Sequence, residues 1–165
     1  MLETVYEFDD LQVAKYKPTA LKPFYVDMEP TTILRRIRFL IDLHYGYSVY
    51  YLKKGNEFLG YCTITSGKNP RFWFADDKDI VIGPYYVDDK QRGKGYATKL
   101  VDAVINHCET GWKKGYVSIK NSNAPSIIVT ERLGGKLIFH VHNTKTKKLI
   151  RDENGEYGIY EIAHM

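Results

Sequence analysis

Residues 79–108, with the sequence DIVIGPYYVDDKQRGKGYATKLVDAVINHC, constrain the fold of this chain more than any other stretch. Their first part is rich in β-branched and aromatic residues, which suit a half-buried β-strand. Their last part repeats apolar residues at the spacing of one helix face. These apolar residues are Ala97, Leu100, Val101, Val104, Ile105 and Cys108. Because a turn with Gly93 and Gly95 joins the two parts, the segment predicts a strand, a glycine turn and a helix in direct succession.

The glycine turn has the properties of an anion-binding site. Glycine allows the backbone to adopt φ > 0 and lets another group approach the chain closely. The first amides of a helix have no partner within it, and together with the positive end of the helix dipole they attract anions. Four basic residues in and beside the turn carry the charge that suits a phosphate: Lys90, Arg92, Lys94 and Lys99. We therefore expect this turn to bind a phosphate group.

Two common nucleotide-binding motifs do not fit this turn. A P-loop has Lys-Ser or Lys-Thr after its last glycine, whereas Tyr96 follows Gly95 here. A dinucleotide fingerprint requires a third small residue at the position of Thr98. The segment from Arg92 to Ala97 instead matches R/Q-x-x-G-x-G/A, the acyl-CoA turn of the GNAT N-acetyltransferases, at every fixed position. The sequence therefore resembles the GNAT superfamily; an ordinary surface turn is the alternative interpretation.

A second match to the same family lies further along the chain. The family has the pattern N-x-x-S/A, then a short helix, then L-G. Its fixed positions are occupied here by Asn123, Ser126, Leu133 and Gly134. The resemblance covers roughly residues 45–141 and implies a set of residues that bind acetyl-CoA. These are Tyr85, Tyr86, Val87, Arg92, Gly93, Lys94, Gly95, Tyr96, Ala97, Thr98, Asn123 and Ser126.

The resemblance also implies the fold. It is of the α/β (α+β) class, with a mixed, mostly antiparallel central sheet of about six to seven strands and about four helices. In this family the fourth strand is bulged and splays from the fifth, and the pantetheine arm of acetyl-CoA enters the gap between them. Pro84 fits such a bulge because proline cannot donate a ladder hydrogen bond. Counting from Arg92, the backbone groups that face the cofactor belong to Tyr85, Tyr86 and Val87.

The segment before the central strand predicts a strand at residues 11–16, a helix and then a hairpin. Thr31 is the expected helix cap. Residues with one shared helix face follow it: Ile33, Leu34, Ile37, Leu40, Ile41 and His44. Arg35, Arg36 and Arg38 fall mostly off that face, either as a solvated basic surface or to attract an acidic acceptor or the CoA phosphates. Residues 47–53 and 58–65 then predict two paired strands.

The remaining loops and strands carry two further expectations. The loop at residues 66–77 contains the cluster Phe72-Trp73-Phe74, which either packs onto the sheet or forms a wall of the acceptor pocket. Residues 136–141 and 157–162 predict the last long strands. Asn154-Gly155 is a typical hairpin turn, so residues 148–153 are expected to pair with the last strand.

Length and composition limit the class of protein. A chain of 165 residues is expected to form a single N-acetyltransferase domain over residues 1–165. The net charge is +4 with dispersed basic residues, which argues against a nucleic-acid-binding or purely structural protein. Cys62 and Cys108 are expected to be buried free thiols, and no metal-ligand spacing is present. No apolar signal region or 18-residue apolar stretch occurs, so we expect no membrane contact and a cytoplasmic location.

Acyl transfer to an amine requires three functions of the protein. An ammonium, with a usual pKa of about 10.4, must lose a proton before it can attack. The thioester oxygen needs a preorganised donor, for which the resemblance implies the amide of Tyr86 or Val87. The departing thiolate is often protonated in this family by a tyrosine in the fourth helix, but Thr130 occupies that position here.

Several other side chains are candidates for proton transfer. Tyr85 is the preferred substitute acid, because it lies beside the expected thioester. His140 is a candidate base because histidine is a common general acid or base, although a structural hydrogen bond is the alternative role. The sequence gives no geometry that ranks the remaining candidates. These are Asp79, Glu57, Tyr45, Tyr47 and Tyr61.

We therefore predict an acetyl-CoA-dependent N-acetyltransferase that works by direct transfer without a metal. The expected acceptor is a small-molecule amine such as an amino sugar, a nucleotide-linked sugar, a polyamine or an amino acid. Acetylation of a protein amine is an alternative. Another is a non-catalytic module that binds acyl-CoA as a sensor, which the threonine at position 130 favours. The expected oligomeric state is a monomer or a homodimer.

Overall fold

The chain folds around one mixed sheet of nine strands in the order β1-β2-β3-β4-β5-β6-β9-β7-β8. The computed structural model describes residues 1–164. The strands are β1 (Leu2–Phe8), β2 (Leu11–Tyr16), β3 (Tyr47–Lys54), β4 (Glu57–Ser66), β5 (Ile80–Val87), β6 (Lys114–Lys120), β7 (Lys136–Asn143), β8 (Leu149–Arg151) and β9 (Tyr157–Ala163). The α-helices are α1 (Ile33–Tyr45), α2 (Tyr96–Ala103) and α3 (Ala124–Arg132). A 3₁₀ turn at Asp89–Gln91 precedes α2, and a π-helical turn at Val104–Cys108 continues it.

The predicted fold class is confirmed, with different counts. Within residues 1–164 all strand pairs are antiparallel except β5 with β6, which is parallel. The sheet has nine strands where six or seven were expected, and three α-helices where four were expected. The sequence did not predict β1, because its LETVYEF stretch is mostly exposed at the edge of the sheet.

The predicted hairpin between residues 148–153 and the last strand is wrong. Both edges of β9 are already paired, one with β6 and the other with β7, so β8 pairs with the free edge of β7. A turn is present at Asn154-Gly155, but the two strands that it connects, β8 and β9, lie on opposite sides of β7 and do not pair with each other. A Cβ on Gly155 would lie only 2.3 Å from the Val141 carbonyl oxygen, so this glycine serves a close backbone contact.

The bulge and the splay of the central strands are both present. Cys62 lies opposite Tyr85 and Ile64 lies opposite Ile82, so two β5 residues, Gly83 and Pro84, oppose a single β4 residue. The parallel pairing of β5 with β6 is confined to Ile80–Val81 and residues 115–116. Beyond that point the strands diverge, which leaves one edge of the second half of β5 open.

Helices cover both faces of the sheet. The apolar face of α2 is buried against one face, beside Tyr50 and Leu52 of β3. Helix α1 packs on the other face through Phe39, beside Val49 and Tyr51. Cys62 is buried and Cys108 is half-buried, and both are free thiols. None of the helices in residues 1–164 combines the length and the apolar character needed to span a membrane.

The orientation of α1 differs from the one its apolar pattern predicted. The apolar residues of the expected core face are 49–79% exposed: Ile33, Leu34, Ile37, Leu40 and Ile41. Phe39 and Asp42 are buried instead, while Arg35 and Arg38 are half-buried. The Arg35 guanidinium lies 5.6 Å from the ring centroids of Phe24 and Phe39, and it donates to the Tyr61 hydroxyl of β4 at 2.9 Å. The helix begins one residue later than expected, because Thr32 rather than Thr31 accepts from the Arg35 amide (3.3 Å).

Candidate active site

A cavity of about 690 Å³ opens where β5 and β6 diverge. Its walls come from α1, the second half of β4, the bulged part of β5, β6 and the first turn of α3. Representative lining residues are Arg38, Asp42, Thr63, Tyr85, Ser118 and Ser126. The volume is typical of sites that enclose a small molecule. The cavity therefore connects the splayed strands to a pocket under α1.

The glycine turn presents free backbone amides at the start of α2. Gly95 is the helix cap with φ +76°, and its carbonyl accepts from Lys99 at 3.1 Å. The amides of residues 96–98 consequently have no acceptor within the helix. Gly93 has φ +79°, and a Cβ on either glycine would meet no atom within 4 Å. Glycine is thus required here for the backbone conformation, and the space above the turn is open to an anion.

Arg92 fixes the turn to the end of β5. Its Nε donates to the Val87 carbonyl at 3.2 Å, and its guanidinium pairs with Asp89 at 2.8 Å. The same group lies 5.5 Å from the centroid of the Tyr86 ring. The segment predicted to bind the cofactor is therefore a connected unit that joins strand, turn and helix.

The backbone of β5 offers polar groups to the gap. The Asp88 amide donates to the Leu59 carbonyl of β4 at 2.9 Å. Residues in an antiparallel pair alternate between those bonded to the partner strand and those that point away from it. The amide of Tyr86 therefore faces β4, whereas the amides of Tyr85 and Val87 face the gap. Of the two oxyanion donors expected from the sequence, Val87 has the required orientation and Tyr86 does not.

The side chain of Tyr85 reaches across the gap to α3. Its hydroxyl donates to the Ser126 carbonyl at 2.9 Å and lies 3.4 Å from the Thr130 hydroxyl. Burial raises the pKa of Tyr85, while the hydrogen bonds to Thr130 and Ser126 oppose that shift. Asn123 caps α3 by accepting from the Ser126 amide at 3.4 Å. The structure thus brings together Tyr85, Thr130, Asn123 and Ser126.

Two other proton-transfer candidates lie away from this cavity. His140 is on β7, opposite Gly158 of β9, and does not line the cavity. Asp79 is buried, and its carboxylate accepts from the Asp76 and Lys114 amides at 2.8 and 3.1 Å. This bonding gives Asp79 a structural role at the start of β5.

The remaining candidates are split between the surface and the region under α1. Glu57 is exposed and accepts from Gln91 at 3.1 Å, and Tyr45 lies outside the cavity lining. Tyr61 donates to Glu29 and accepts from Arg35 (2.9 Å), and burial raises the pKa of Tyr61. Tyr47 does line the cavity.

The cluster in the 66–77 loop packs onto the sheet and also contributes one residue to the lining of the cavity. Phe72 is buried and lines the cavity. Trp73 donates to the Leu149 carbonyl at 2.9 Å and stacks on Phe139 with ring centroids 5.5 Å apart. Phe74 packs edge-on against Tyr116. One aromatic thus forms a wall of the cavity, and the other two fasten the loop to the sheet.

Sequence reasoning missed a charged group at the far end of the cavity, under α1. Asp42 is buried and accepts from the Asn69 side chain at 2.7 Å. Arg71, which lies two residues after Asn69, donates from Nε to the Lys147 carbonyl at 2.8 Å. Burial and the positive charge of Arg38 lower the pKa of Arg71 to about 10. No sequence signal joins these residues, because they come from three separate segments.

Within residues 1–164, no group of three or more His, Cys, Asp or Glu side chains could hold a metal ion.

Comparisons with known proteins agree with the geometry. The family model described as "Acetyltransferase (GNAT) family" matches residues 8–134. No curated protein sequence is similar enough to this chain to count as a match.

Solved structures show the same fold. A ribosomal L7/L12 alpha-N-protein acetyltransferase has a TM-score of 0.66 at 14% identity, covering 99% of this chain and 96% of that one. A GNAT family acetyltransferase from Elizabethkingia anophelis, with acetyl-CoA bound, has a TM-score of 0.64 at 14% identity, covering 95% and 100%. The ribosomal-protein-S18-alanine N-acetyltransferase from Escherichia coli has a TM-score of 0.58 at 15% identity, covering 83% and 79%. At these identities the similarity establishes a shared fold.

Proposed function

The chain belongs to the GNAT acetyltransferase family, and we propose that it transfers an acetyl group from acetyl-CoA directly to a primary amine of a small molecule. The observation that carries this proposal is the continuity of the site. The glycine turn, the open edge of β5 and the cavity under α1 follow one another along β5: the turn comes after Val87, and the residues of β5 from Val81 to Tyr85 line the cavity. We further propose a cytoplasmic location and a monomeric or homodimeric state.

The residues present fit acetyl-CoA. The free amides at the start of α2 suit its pyrophosphate, because they combine unpaired donors with the positive end of the helix dipole. The backbone groups of Tyr85 and Val87 suit its pantetheine arm, because they lie on an unpaired strand edge. Asn123 and Ser126 form the opposite wall. Bound acetyl-CoA would supply the activated thioester.

The protein's own groups supply positioning, charge stabilisation and a proton. The Val87 amide is held rigidly by the β4–β5 ladder and faces the gap, so it can stabilise negative charge on an acyl oxygen. The Tyr85 hydroxyl is fixed by the Ser126 carbonyl and can give its proton to a departing thiolate.

The direct test is release of free CoA thiol from acetyl-CoA in the presence of a panel of amines. We expect turnover with at least one small-molecule amine and saturable binding of acetyl-CoA by calorimetry. Binding without turnover against the whole panel would instead support a sensor of acyl-CoA, the role that Thr130 favours. Absence of binding would contradict both proposals.

A protein amine is the second candidate acceptor. The exposed apolar side of α1 continues into the cavity, since Leu34 is 57% exposed and also lines the cavity. Such a surface beside a site is suited to a protein partner. Two of the structural relatives carry names of enzymes that act on ribosomal proteins. Efficient acetylation of peptide N-termini, with no turnover of small amines, would favour this candidate.

A further inference from the structure

Two arginines at the far end of the cavity share one nearby acidic group, Asp42. Arg38 and Arg71 both line the cavity and are half-buried. The Arg38 Nε is fully buried and has no hydrogen-bond partner. Within residues 1–164 neither guanidinium lies within 4.0 Å of a carboxylate. Charges removed from water are normally paired in proteins, and the single carboxylate of Asp42 balances only one of these two positive charges.

The lining of the whole cavity is strongly positive. Its basic members are Arg35, Arg38, Arg71, Lys120 and Lys147. Asp42 is its one acidic member in the described part of the chain, and it already accepts from Asn69. Arg35 is paired with Glu29 at 3.5 Å. The other four basic groups still outnumber the one acidic group, so the cavity attracts anions and repels cations such as polyamines.

Other polar atoms in the same cavity also lack partners. Four buried side-chain nitrogen or oxygen atoms have no hydrogen bond among the described residues, and three of them belong to residues that line this cavity. They are Arg38 Nε, Tyr47 Oη and Asn143 Oδ1. Tyr47 is only 9% exposed, so bulk water does not readily satisfy its hydroxyl. Unsatisfied buried groups concentrated at one place indicate a ligand that supplies the missing partners.

The strand register gives the distance between this polar end and the reacting end. On β4, Cys62 lies opposite Tyr85, whereas Thr65 lies opposite Val81 and beside Tyr47. Three strand residues span about 10 Å. Arg38 and Arg71 lie near Asp42, which is also close to Tyr47 at the Thr65 end of this interval. An acceptor that meets them must therefore extend several bonds from its nitrogen.

We propose that the acceptor amine carries an anionic group, a phosphate or a carboxylate, several bonds from its nitrogen, and that Arg38 and Arg71 bind this group. This inference rests on the proposed function and narrows its substrate class. The planar guanidinium can donate two parallel hydrogen bonds to a carboxylate or a phosphate, which makes it selective for these groups. Tyr47 and Asn143 then provide polar contacts to the body of the acceptor.

The kinetic test uses matched acceptors in the thiol-release assay. The pairs are ethanolamine and phosphoethanolamine, glucosamine and glucosamine 6-phosphate, and alanyl-alanine amide and alanyl-alanine. We expect kcat/KM for the anionic member of any accepted pair to be about 10- to 100-fold higher than for the neutral member. Comparing the phosphate pairs with the carboxylate pair identifies the group.

Substitutions locate the anion site. Arg71→Gln and Arg38→Gln should each abolish the preference for the anionic member while leaving KM for acetyl-CoA unchanged, and Arg71→Lys should retain part of the preference. Arg151→Gln is the matched control, because that arginine also lies over an aromatic ring, 5.0 Å from the Phe139 centroid, but outside the cavity. The control should keep the full preference.

A second measurement does not depend on turnover. In protein saturated with CoA, inorganic phosphate should raise the thermal midpoint of the parent and of Arg151→Gln, but not of Arg71→Gln or Arg38→Gln. If phosphate stabilises the protein against heat but no amine is acetylated, the anion site is supported and the proposed function is contradicted. Two results would overturn the inference without contradicting the proposed function. One is an equal kcat/KM for the two members of each pair, and the other is stabilisation by phosphate that persists in both arginine variants.

Discussion

The hydroxyl oxygens of Tyr85 and Thr130 lie 3.4 Å apart, across the gap between β5 and α3. Members of the family often place a tyrosine on the helix at the position that Thr130 occupies here. In this chain the phenol of Tyr85 reaches that helix from the strand and donates to the Ser126 carbonyl at 2.9 Å. A hydroxyl of the strand and a hydroxyl of the helix therefore face one another across the gap.

Tyr85→Phe should lower kcat on the preferred amine by on the order of 10²-fold, because it removes the proposed general acid. Burial raises the pKa of Tyr85, so its protonated form persists above the usual pH range of tyrosine. The parent's kcat should therefore decrease at alkaline pH as Tyr85 ionises, and this alkaline limb should vanish in Tyr85→Phe. Steady-state kinetics from neutral to alkaline pH measure both effects.

Tyr160→Phe is the control for this substitution, since it removes a hydroxyl from another tyrosine that is largely buried, outside the cavity. It should leave kcat and its pH dependence unchanged. An unchanged kcat and alkaline limb in Tyr85→Phe would mean that Tyr85 is not the acid, and solvent would then be the better assignment.

Gly95→Val should weaken acetyl-CoA binding by about 5- to 150-fold, which corresponds to roughly 1–3 kcal/mol. A β-branched residue is strained at φ +76°, and relief of that strain moves the amides that face the anion. Gly55→Val is the matched control, because Gly55 has φ +59° and an equally open surrounding, but lies in the β3–β4 turn. Calorimetry should show a loss of affinity for Gly95→Val alone; parent-like binding by this variant would refute the anion-site assignment.

The parts of the site that sequence reasoning predicted depend on short-range patterns. The glycine turn and the helix after it follow from one continuous motif, and Pro84 marks the bulge because its lack of an amide is a local property. The orientation of α1 could not be predicted in this way. Its expected apolar face is exposed, whereas Phe39 is buried and Arg35 donates to Tyr61 of β4, and such contacts with a distant strand leave no local pattern.

Attraction of an acidic acceptor was one of the two roles expected for Arg38, but its proximity to Arg71 could not be predicted, for a related reason. Arg38 and Arg71 come from segments more than thirty residues apart, and the loop at residues 66–77 brings them to one cavity. The partner of β8 likewise depended on which strand edges were already occupied. Long-range contacts of this kind leave no periodicity in the sequence.

Asp42→Asn should stabilise the protein relative to the parent more at about pH 7 than at about pH 4. Burial raises the pKa of Asp42, against opposing effects of Arg38, Arg71 and the hydrogen bond from Asn69. The folded state therefore holds this proton to a higher pH than the unfolded chain does, and stability falls as pH rises through that window. Asparagine keeps an acceptor for Asn69 and does not ionise.

Urea denaturation of both proteins at the two pH values measures this difference. Asp102→Asn provides the control, because Asp102 also accepts from an asparagine side chain, Asn106, at 2.8 Å, but on the exposed side of α2. Its effect on the free energy of unfolding should not change with pH in this way. A larger benefit of Asp42→Asn at the acidic pH would show that the nearby arginines, rather than burial, dominate the ionisation of Asp42.

Thr130→Tyr should lower both stability and activity, although it restores the residue type that the family often has. Thr130 is only 1% exposed and its Cγ2 faces Gly135 closely, while the Tyr85 phenol fills the space in front of it. A second phenol at this point overpacks the site, at a cost of about 1–3 kcal/mol. Truncation of the first phenol should open that space, so the double variant Thr130→Tyr with Tyr85→Ala should regain activity relative to Tyr85→Ala alone. Thiol release and thermal denaturation of the three variants give the comparison.

Two results would contradict this prediction. If Thr130→Tyr alone is more active than the parent, Tyr85 does not occupy the position of the general acid. If the double variant is as inactive as Tyr85→Ala, the site requires more from Tyr85 than a hydroxyl at that point.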